Sequence, residues 1–392
     1  MIDIEQVRKD TPGIENKIHF NNAGAALPPG AVIDAIQDYI NLESMNGGYE
    51  TAESQTESIN GFYENTAKLL NTTAQNIAFT SSATSAFALA LSSIPLERGD
   101  KVLITNEDYI SNQLAFLSIQ NRFGVRLIRA NSLETGGVDV DHMKHLMDSE
   151  NPKLVSVSHV PTNSGLIQPV EEIGECCQKR NILYLLDACQ SVGQLPVDVG
   201  HIKCDFLSAT MRKFLRGPRG SGFLFVSDRV IQEKLTPLFV DMRGAEWSGA
   251  DSYEIRMDAK RFEEWELPYA LVMGSKMAID YALQIGIENI RDRNRELCQT
   301  VRDKLNSIEL RTLDLGSNLS SIITVDMPDK QPEDVINYLR QLNINTSASY
   351  RSYAQIDFGT KNVNWALRIS PHYYNTEDEI DSLIQGLEDL NE

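Results

Sequence analysis

Between about residue 70 and residue 230, short apolar runs alternate with longer stretches whose apolar positions recur every three to four residues. Residues 76–80, 101–105, 126–130, 153–160, 182–186 and 206–209 have the length and apolar content of buried strands. The stretches 84–93, 111–123, 140–147 and 169–179 carry helical spacing. Residues 221–226 read as a further strand, close enough to 206–209 to run antiparallel beside it. This alternation predicts an α/β fold: a mostly parallel, seven-stranded-type sheet flanked by helices, with ligands held beyond the carboxyl ends of its strands. The pattern then changes. Helices at 268–285 and 289–308 lead to strand-like runs at 320–325 and 365–369 bracketing a helix at 331–341, and a helix at 376–390 follows. A smaller α+β domain is expected there, so that 15–265 forms the large cofactor-binding domain and 1–14 joins 266–392 in the small one.

Composition narrows the partners. Of the 392 residues 36 are basic and 55 acidic, a net charge of −19 that speaks against nucleic acid and anionic membranes. The opening Met1-Ile2-Asp3-Ile4-Glu5 is acidic, and no apolar run nears the ~20 residues of a membrane helix, so a cytoplasmic location is expected. Five cysteines, at 176, 177, 189, 204 and 298, are odd in number and lack framework or zinc spacing. They read as reduced, mostly buried thiols.

Chemistry gathers at the strand ends. Asp187 closes the apolar run 182–186, and one strand later Lys213 lies in the basic, glycine-rich turn 210–222. A carboxylate at one strand terminus and an amine at the next suit pyridoxal 5'-phosphate (PLP), whose pyridine nitrogen needs an acid partner and whose aldehyde needs a lysine. Ser81-Ser82-Ala83-Thr84-Ser85 follows a strand and opens a helix, where free N–H groups and hydroxyls would meet a phosphate. A plain helix cap accounts for the same residues. Tyr109 could stack on a ring, or simply belong to the core. Gln190 could bond the ring's phenolic oxygen, and Arg368 offers a carboxylate fork or a surface ion pair. Arg212, Arg216 and Arg219 surround Lys213, and neighbouring cations lower an amine's pKa.

In order and placement these residues resemble the class V aminotransferase family of fold-type I PLP enzymes, whose members include cysteine desulfurases and selenocysteine lyases. The likeness runs from Phe20-Asn21-Asn22-Ala23-Gly24 through Ala83-Thr84, Asp187-x-x-Gln190, Lys213 and Arg261-Phe262-Glu263 to Arg368. It implies Lys213 as the Schiff-base lysine, Asp187 on the pyridine nitrogen and Gln190 on the ring oxygen. It also implies Ala83, Thr84, Thr210 and Arg212 at the phosphate, Tyr109 on the ring face, Thr162 in place of an asparagine near the ring, and Asn22 and Arg368 on the substrate carboxylate. A homodimer with shared sites is implied too, Trp265 or Glu266 reaching the partner's phosphate.

Desulfurases of this family carry a mobile cysteine in the small domain, whereas no cysteine follows Cys298 and the matching stretch reads Ser347-Ala348-Ser349-Tyr350-Arg351-Ser352-Tyr353. Arg212-Lys213-Phe214-Leu215-Arg216-Gly217-Pro218-Arg219-Gly220 resembles most the branch of C–S lyases acting on cysteine-conjugate sulfoxides. The expected reaction is therefore β-elimination from a cysteine-like amino acid, giving pyruvate and ammonia without a protein persulfide. Transamination and racemisation are the nearest alternatives, and an amino-acid-binding protein without turnover a remote one. Arg351 is a further expected substrate contact; with Tyr350, Tyr353, Arg243, Trp247 and Trp265 it would border the leaving group.

Overall fold

The computed structural model describes residues 2–391. Seven strands form the large sheet: β1 (Ile77–Thr80), β2 (Lys101–Ile104), β3 (Arg126–Arg129), β4 (Leu154–Ser158), β5 (Leu183–Asp187), β6 (Phe206–Thr210) and β7 (Gly222–Val226). Their order is β1-β7-β6-β5-β4-β2-β3, and only β7 runs against the rest. Successive residues of a strand face opposite ways. Leu103, Val155 and Leu207 enter one apolar cluster, while Val102, Leu154 and Phe206 enter another on the reverse face. Burial on both faces is why these strands read as unbroken apolar runs instead of alternating ones.

Helices α1 (Gly30–Asn46) and α2 (Thr56–Leu70) precede the sheet. Crossover helices α3 (Ala83–Ser93), α4 (Ile110–Phe123), α5 (Val140–Glu150) and α6 (Val170–Lys179) join its strands. After β7, an exposed hairpin of β8 (Ala245–Gly249) and β9 (Ser252–Ile255) leads to α7 (Tyr269–Ile285) and α8 (Ile287–Ser307). Gly286, at φ 88°, supplies the turn between those two helices. A second, antiparallel sheet is ordered β10-β12-β11, from β10 (Ile323–Asp326), β11 (Ser347–Tyr350) and β12 (Trp365–Ile369). It buries Ile323, Val325, Leu367 and Ile369 against α8 and the closing helix, Glu377–Asn391.

Differences from the sequence pattern have local causes. The run 153–160 is a strand only over Leu154–Ser158, because Pro161 and the turn after it lead the chain away from the sheet. Strand β11, Ser347-Ala348-Ser349-Tyr350, sets only Ala348 and Tyr350 towards the apolar cluster, too short and weak an alternation to mark it without its pairing to β12. The β8–β9 hairpin is largely exposed, with Trp247 80 % accessible, so no buried face marks it. Helix α1 leaves Ile33, Ile40 and Leu42 exposed, which blurs its stripe.

Candidate active site

At the carboxyl ends of β4, β5 and β6 a cavity of about 310 Å³ opens towards the second sheet. Lys213, three residues past β6, projects into it while only 7 % exposed. Burial pushes its pKa down; Arg212 and Arg368 act in the same direction, against the opposing influence of Cys189 and Asp187. Its Nζ stands 5.8 Å from the centre of the Tyr109 ring. The turn carrying it is shaped by Arg216, whose φ of 60° allows its N–H to bond the Lys213 carbonyl at 2.8 Å.

Asp187, 6 % exposed at the end of β5, accepts from Asn112 Nδ2 (2.8 Å) and, in the turn that follows, from the Cys189 amide (2.9 Å). The Ser158 hydroxyl lies 3.4 Å away. Among the described residues no cation lies within 4 Å of this carboxylate, nor any carboxylate within 4 Å of Lys213, Arg212 or Arg368. Gln190 donates from Nε2 to Thr162 Oγ1 (2.7 Å) and to the Ala23 carbonyl (3.1 Å), and its Oε1 is buried without a partner. Arg368 donates to Thr162 Oγ1 (2.8 Å) and Asn21 Oδ1 (3.3 Å), leaving Nε buried and unpartnered. Burial, with Arg212 nearby, lowers the Arg368 pKa to about 10, so the site favours an added anion.

The α3 N-terminus provides an anion cradle. Ser82 caps it through Ser85 N (3.0 Å), leaving the first-turn N–H groups of Ala83 and Thr84 without intrahelical acceptors. Gly222 of β7 passes so near that a Cβ there would lie 3.0 Å from Ala83 N and 2.6 Å from the Ala209 carbonyl oxygen. Thr210, across the ladder from Gly222, bonds the Ser221 carbonyl at 3.3 Å. An anion cradle, an unpaired strand-end carboxylate, a buried amine and an aromatic face suit PLP's phosphate, ring nitrogen, aldehyde and ring.

Some expected residues stand elsewhere. Asn22 is fully buried and does not line the cavity: its Nδ2 bonds the Ser370 (2.7 Å) and His19 carbonyls, and its Oδ1 takes the Tyr374 hydroxyl. With both amide ends occupied it braces the turn to the second sheet, and Asn21 meets Arg368 instead. Arg351 is exposed, its guanidinium beside Gly359 in the helix α8 to C-terminus region and outside the cavity lining. Arg212 bonds the Gly24 carbonyl and makes no hydrogen bond to residues 81–85. Trp265 and Glu266 are exposed, away from this chain's cavity. Sequence reasoning missed Asn163, which lines the cavity beside Thr162, and Asp108, Asn112 and Ser158, which surround Asp187. The only advance sign was the i, i+4 spacing of Asp108 and Asn112 at a helix start.

Fold and site together define a fold-type I PLP enzyme. The sequence profile of the class-V aminotransferases (Aminotransferase class-V) matches residues 18–383, and the chain belongs to that family, which uses pyridoxal phosphate. A probable cysteine desulfurase of Methanothermobacter thermautotrophicus is 28 % identical, over 98 % of each chain. One of Pyrococcus abyssi is 27 % identical, over 98 % of this chain and 97 % of its own. The apo structure of the cysteine desulfurase from Thermococcus onnurineus NA1 superposes with a TM-score of 0.92 at 24 % identity, over 100 % of this chain and 98 % of that one, a likeness of fold.

These relatives overturn the expected β-elimination to pyruvate and ammonia without persulfide formation. The missing downstream cysteine was given too much weight. It bears on where sulfur is received, not on which products form, because an acceptor thiol can enter from outside the chain.

Proposed function

We propose that the protein is a cysteine desulfurase that takes sulfur from free cysteine, leaves alanine, and passes the sulfur to a thiol from outside the chain. The observation carrying this reading is the end-to-end likeness to relatives named as cysteine desulfurases. The cavity agrees with it: Arg368 lines it with no carboxylate partner and an unpartnered Nε, which suits one α-carboxylate, and about 310 Å³ suits a small amino acid with room for an incoming thiol.

Pyridoxal phosphate, when bound, supplies an aldehyde for the substrate amine and a ring that accepts electron pairs from the substrate carbons. Arg368, steadied by Thr162 and Asn21, orients the carboxylate. Lys213 Nζ, its basicity tempered by burial, takes the Cα proton. Asp187 would hold the proton on the bound cofactor's ring nitrogen, and Tyr109 would cover its ring face. The acceptor thiolate attacks the substrate sulfur, so that an S–S bond forms as the C–S bond breaks. The C–S electron pair stays on Cβ, which takes a proton, and Lys213 returns a proton to Cα; cysteine and a thiol become alanine and a persulfide.

The chain's own thiols are poorly placed as acceptors. Cys176, Cys177, Cys204 and Cys298 are buried, and burial pushes Cys189 up to about 12, which keeps it protonated. Beside the cavity, Ser347 and Ser349 stand where a cysteine would be needed.

The large domain in this reading spans 15–265 and the small one 1–14 with 266–392. The protein acts as a cytoplasmic homodimer: Leu238, Phe239, Met242, Trp247 and Trp265 expose 45–85 % of their surface along one stretch, an apolar surface suited to a second copy. Trp265 or Glu266 would then approach the partner's phosphate. No helix among the described residues is long and apolar enough to cross a membrane.

The test is incubation of PLP-loaded protein with L-cysteine, with and without dithiothreitol, measuring alanine, pyruvate and protein mass. Dithiothreitol-dependent turnover to alanine, retained in Cys189→Ala, is expected. Pyruvate in place of alanine would overturn the reading, and a protein persulfide carrying the turnover would overturn the external acceptor.

A further inference from the structure

Behind Asp187 lies a second carboxylate. Asp108 Oδ1 accepts from the Tyr109 amide (2.7 Å), the Ser158 hydroxyl (2.9 Å) and Asn112 Nδ2 (3.0 Å), while Oδ2 accepts from Gln113 Nε2 (2.7 Å). Two of those donors also face Asp187: Asn112 at 2.8 Å and Ser158 at 3.4 Å. The proton count matters here. Asn112 has two N–H groups and can serve both carboxylates, but Ser158 has one O–H and can serve only one. The shorter contact gives that hydrogen to Asp108.

We propose that Asp108 is a positioning residue that sets the basicity of Asp187, its charge state deciding which carboxylate receives the Ser158 hydroxyl and so how firmly Asp187 holds the cofactor's ring-nitrogen proton. Ionised Asp108 keeps the hydroxyl, leaves Asp187 one donor short and adds a like charge beside it. Both effects favour a cation, the protonated ring nitrogen, at this corner of the site. A neutral Asp108 releases Ser158 to Asp187 and removes that charge. The same carboxylate fixes the Tyr109 amide, so the ring face and the ring-nitrogen partner share one support.

Burial pushes Asp108 up to about 6, with the Asp187 charge adding to it against the donations of Asn112, Gln113 and Ser158. The charged groups facing it are Asp187 from β5 and Arg129 from β3, which donates to Gln113 Oε1 at 2.7 Å. Glu107, next in the chain, turns to Ser132 instead. The switch therefore falls between pH 5 and 7.

The inference rests on the cofactor and not on the choice of substrate, so its test omits substrate. Protein loaded with 15N-labelled pyridoxal phosphate is titrated, following the ring-nitrogen shift and the cofactor absorbance. Asp108→Asn keeps the shape and removes the charge, and should lower the ring-nitrogen midpoint by about one unit or more. Ser158→Ala removes the hydroxyl's share and leaves the like charge, so it should shrink the inflection near pH 6 and reduce the effect of Asp108→Asn in the double variant. If Asp108→Asn binds no cofactor, the Ser158→Ala titration decides alone. An unchanged midpoint in Asp108→Asn, or an inflection of undiminished size in Ser158→Ala, would overturn the proposal and leave the desulfurase reading intact. Absence of alanine formation would do the reverse.

Discussion

Arg216 gives a sharp test of how the turn bearing Lys213 is held. Its side chain is 1 % exposed and donates to the Leu27 carbonyl (2.8 Å), the Tyr373 hydroxyl (2.7 Å) and Thr11 Oγ1 (2.6 Å). Its guanidinium carbon lies 4.6, 5.2 and 5.7 Å from the ring centres of Tyr374, Tyr373 and Tyr281. Arg216→Met removes the charge and its desolvation cost and puts sulfur among the rings. One carbonyl, that of Leu27, loses its donor at about 1–3 kcal/mol, and a cation–ring attraction of about 2 kcal/mol goes with it. The relief of desolvation offsets part of this, leaving a loss of about 2–3 kcal/mol. Arg216→Lys retains a buried charge on a more strongly hydrated head that cannot span three acceptors, and should lose about 3–5 kcal/mol. The left-handed backbone is common to all three proteins and cancels. Urea unfolding of the apo-protein at pH 7.5, followed by fluorescence and circular dichroism, measures the differences. A lysine variant more stable than the methionine variant by over about 1 kcal/mol, on the scale of one hydrogen bond, would refute the reasoning.

Two further outcomes follow from the geometry. Gly222→Ala places a methyl group against backbone on two sides, at 2.6 Å from Ala209 O and 3.0 Å from Ala83 N; it should cost about 1–3 kcal/mol and weaken PLP binding at least tenfold, measured by equilibrium dialysis. Glu107 and Asp357 both have raised pKa values, chiefly through burial; for Glu107 the Asp357 charge adds to it, while Lys361 opposes the shift of each. The folded state thus binds more protons than the unfolded one above the ordinary carboxylate range, and stability falls as pH rises through that window. Glu107→Gln should therefore raise the urea midpoint more at pH 7.5 than at pH 4.5, and the opposite order would contradict this account.

The large sheet was legible because its strands are buried on both faces, so Val102-Leu103-Ile104 and Leu183-Tyr184-Leu185-Leu186 needed no partner to be recognised. Lys213, Asp187 and the α3 cap were legible for a related reason: strand ends place residues of adjacent strands together, and the chain order gives the strand ends. What depended on distant pairing was hidden. Nothing local tells whether Asn21 or Asn22 meets Arg368; that is settled by the Asn21–Ser370 bridge and the Asn22 bond to the Ser370 carbonyl. Strand β11 offers only Ala348 and Tyr350 as an alternating pair, and Asp108 is an ordinary loop carboxylate until the fold brings Ser158 of β4 against it. The expected elimination rested on the absence of a cysteine after Cys298, whereas the likeness to relatives named as cysteine desulfurases runs the length of the chain and is not confined to one loop.

Arg216 ties Thr11 and Leu27 to Tyr373, and the Asn21–Gly24 turn is fastened to Ser370. During synthesis Asp187 and Lys213 emerge well before the strand that carries Arg368, so these two strand-end groups exist before the far wall of the cavity does. Such long-range closures form late, since the entropy of joining distant segments must be overcome first. A chain lacking residues 365–375 lacks both Arg368 and the Tyr373 hydroxyl that Arg216 grips, so the turn bearing Lys213 receives its full bracing only when the last part of the sequence has joined the fold.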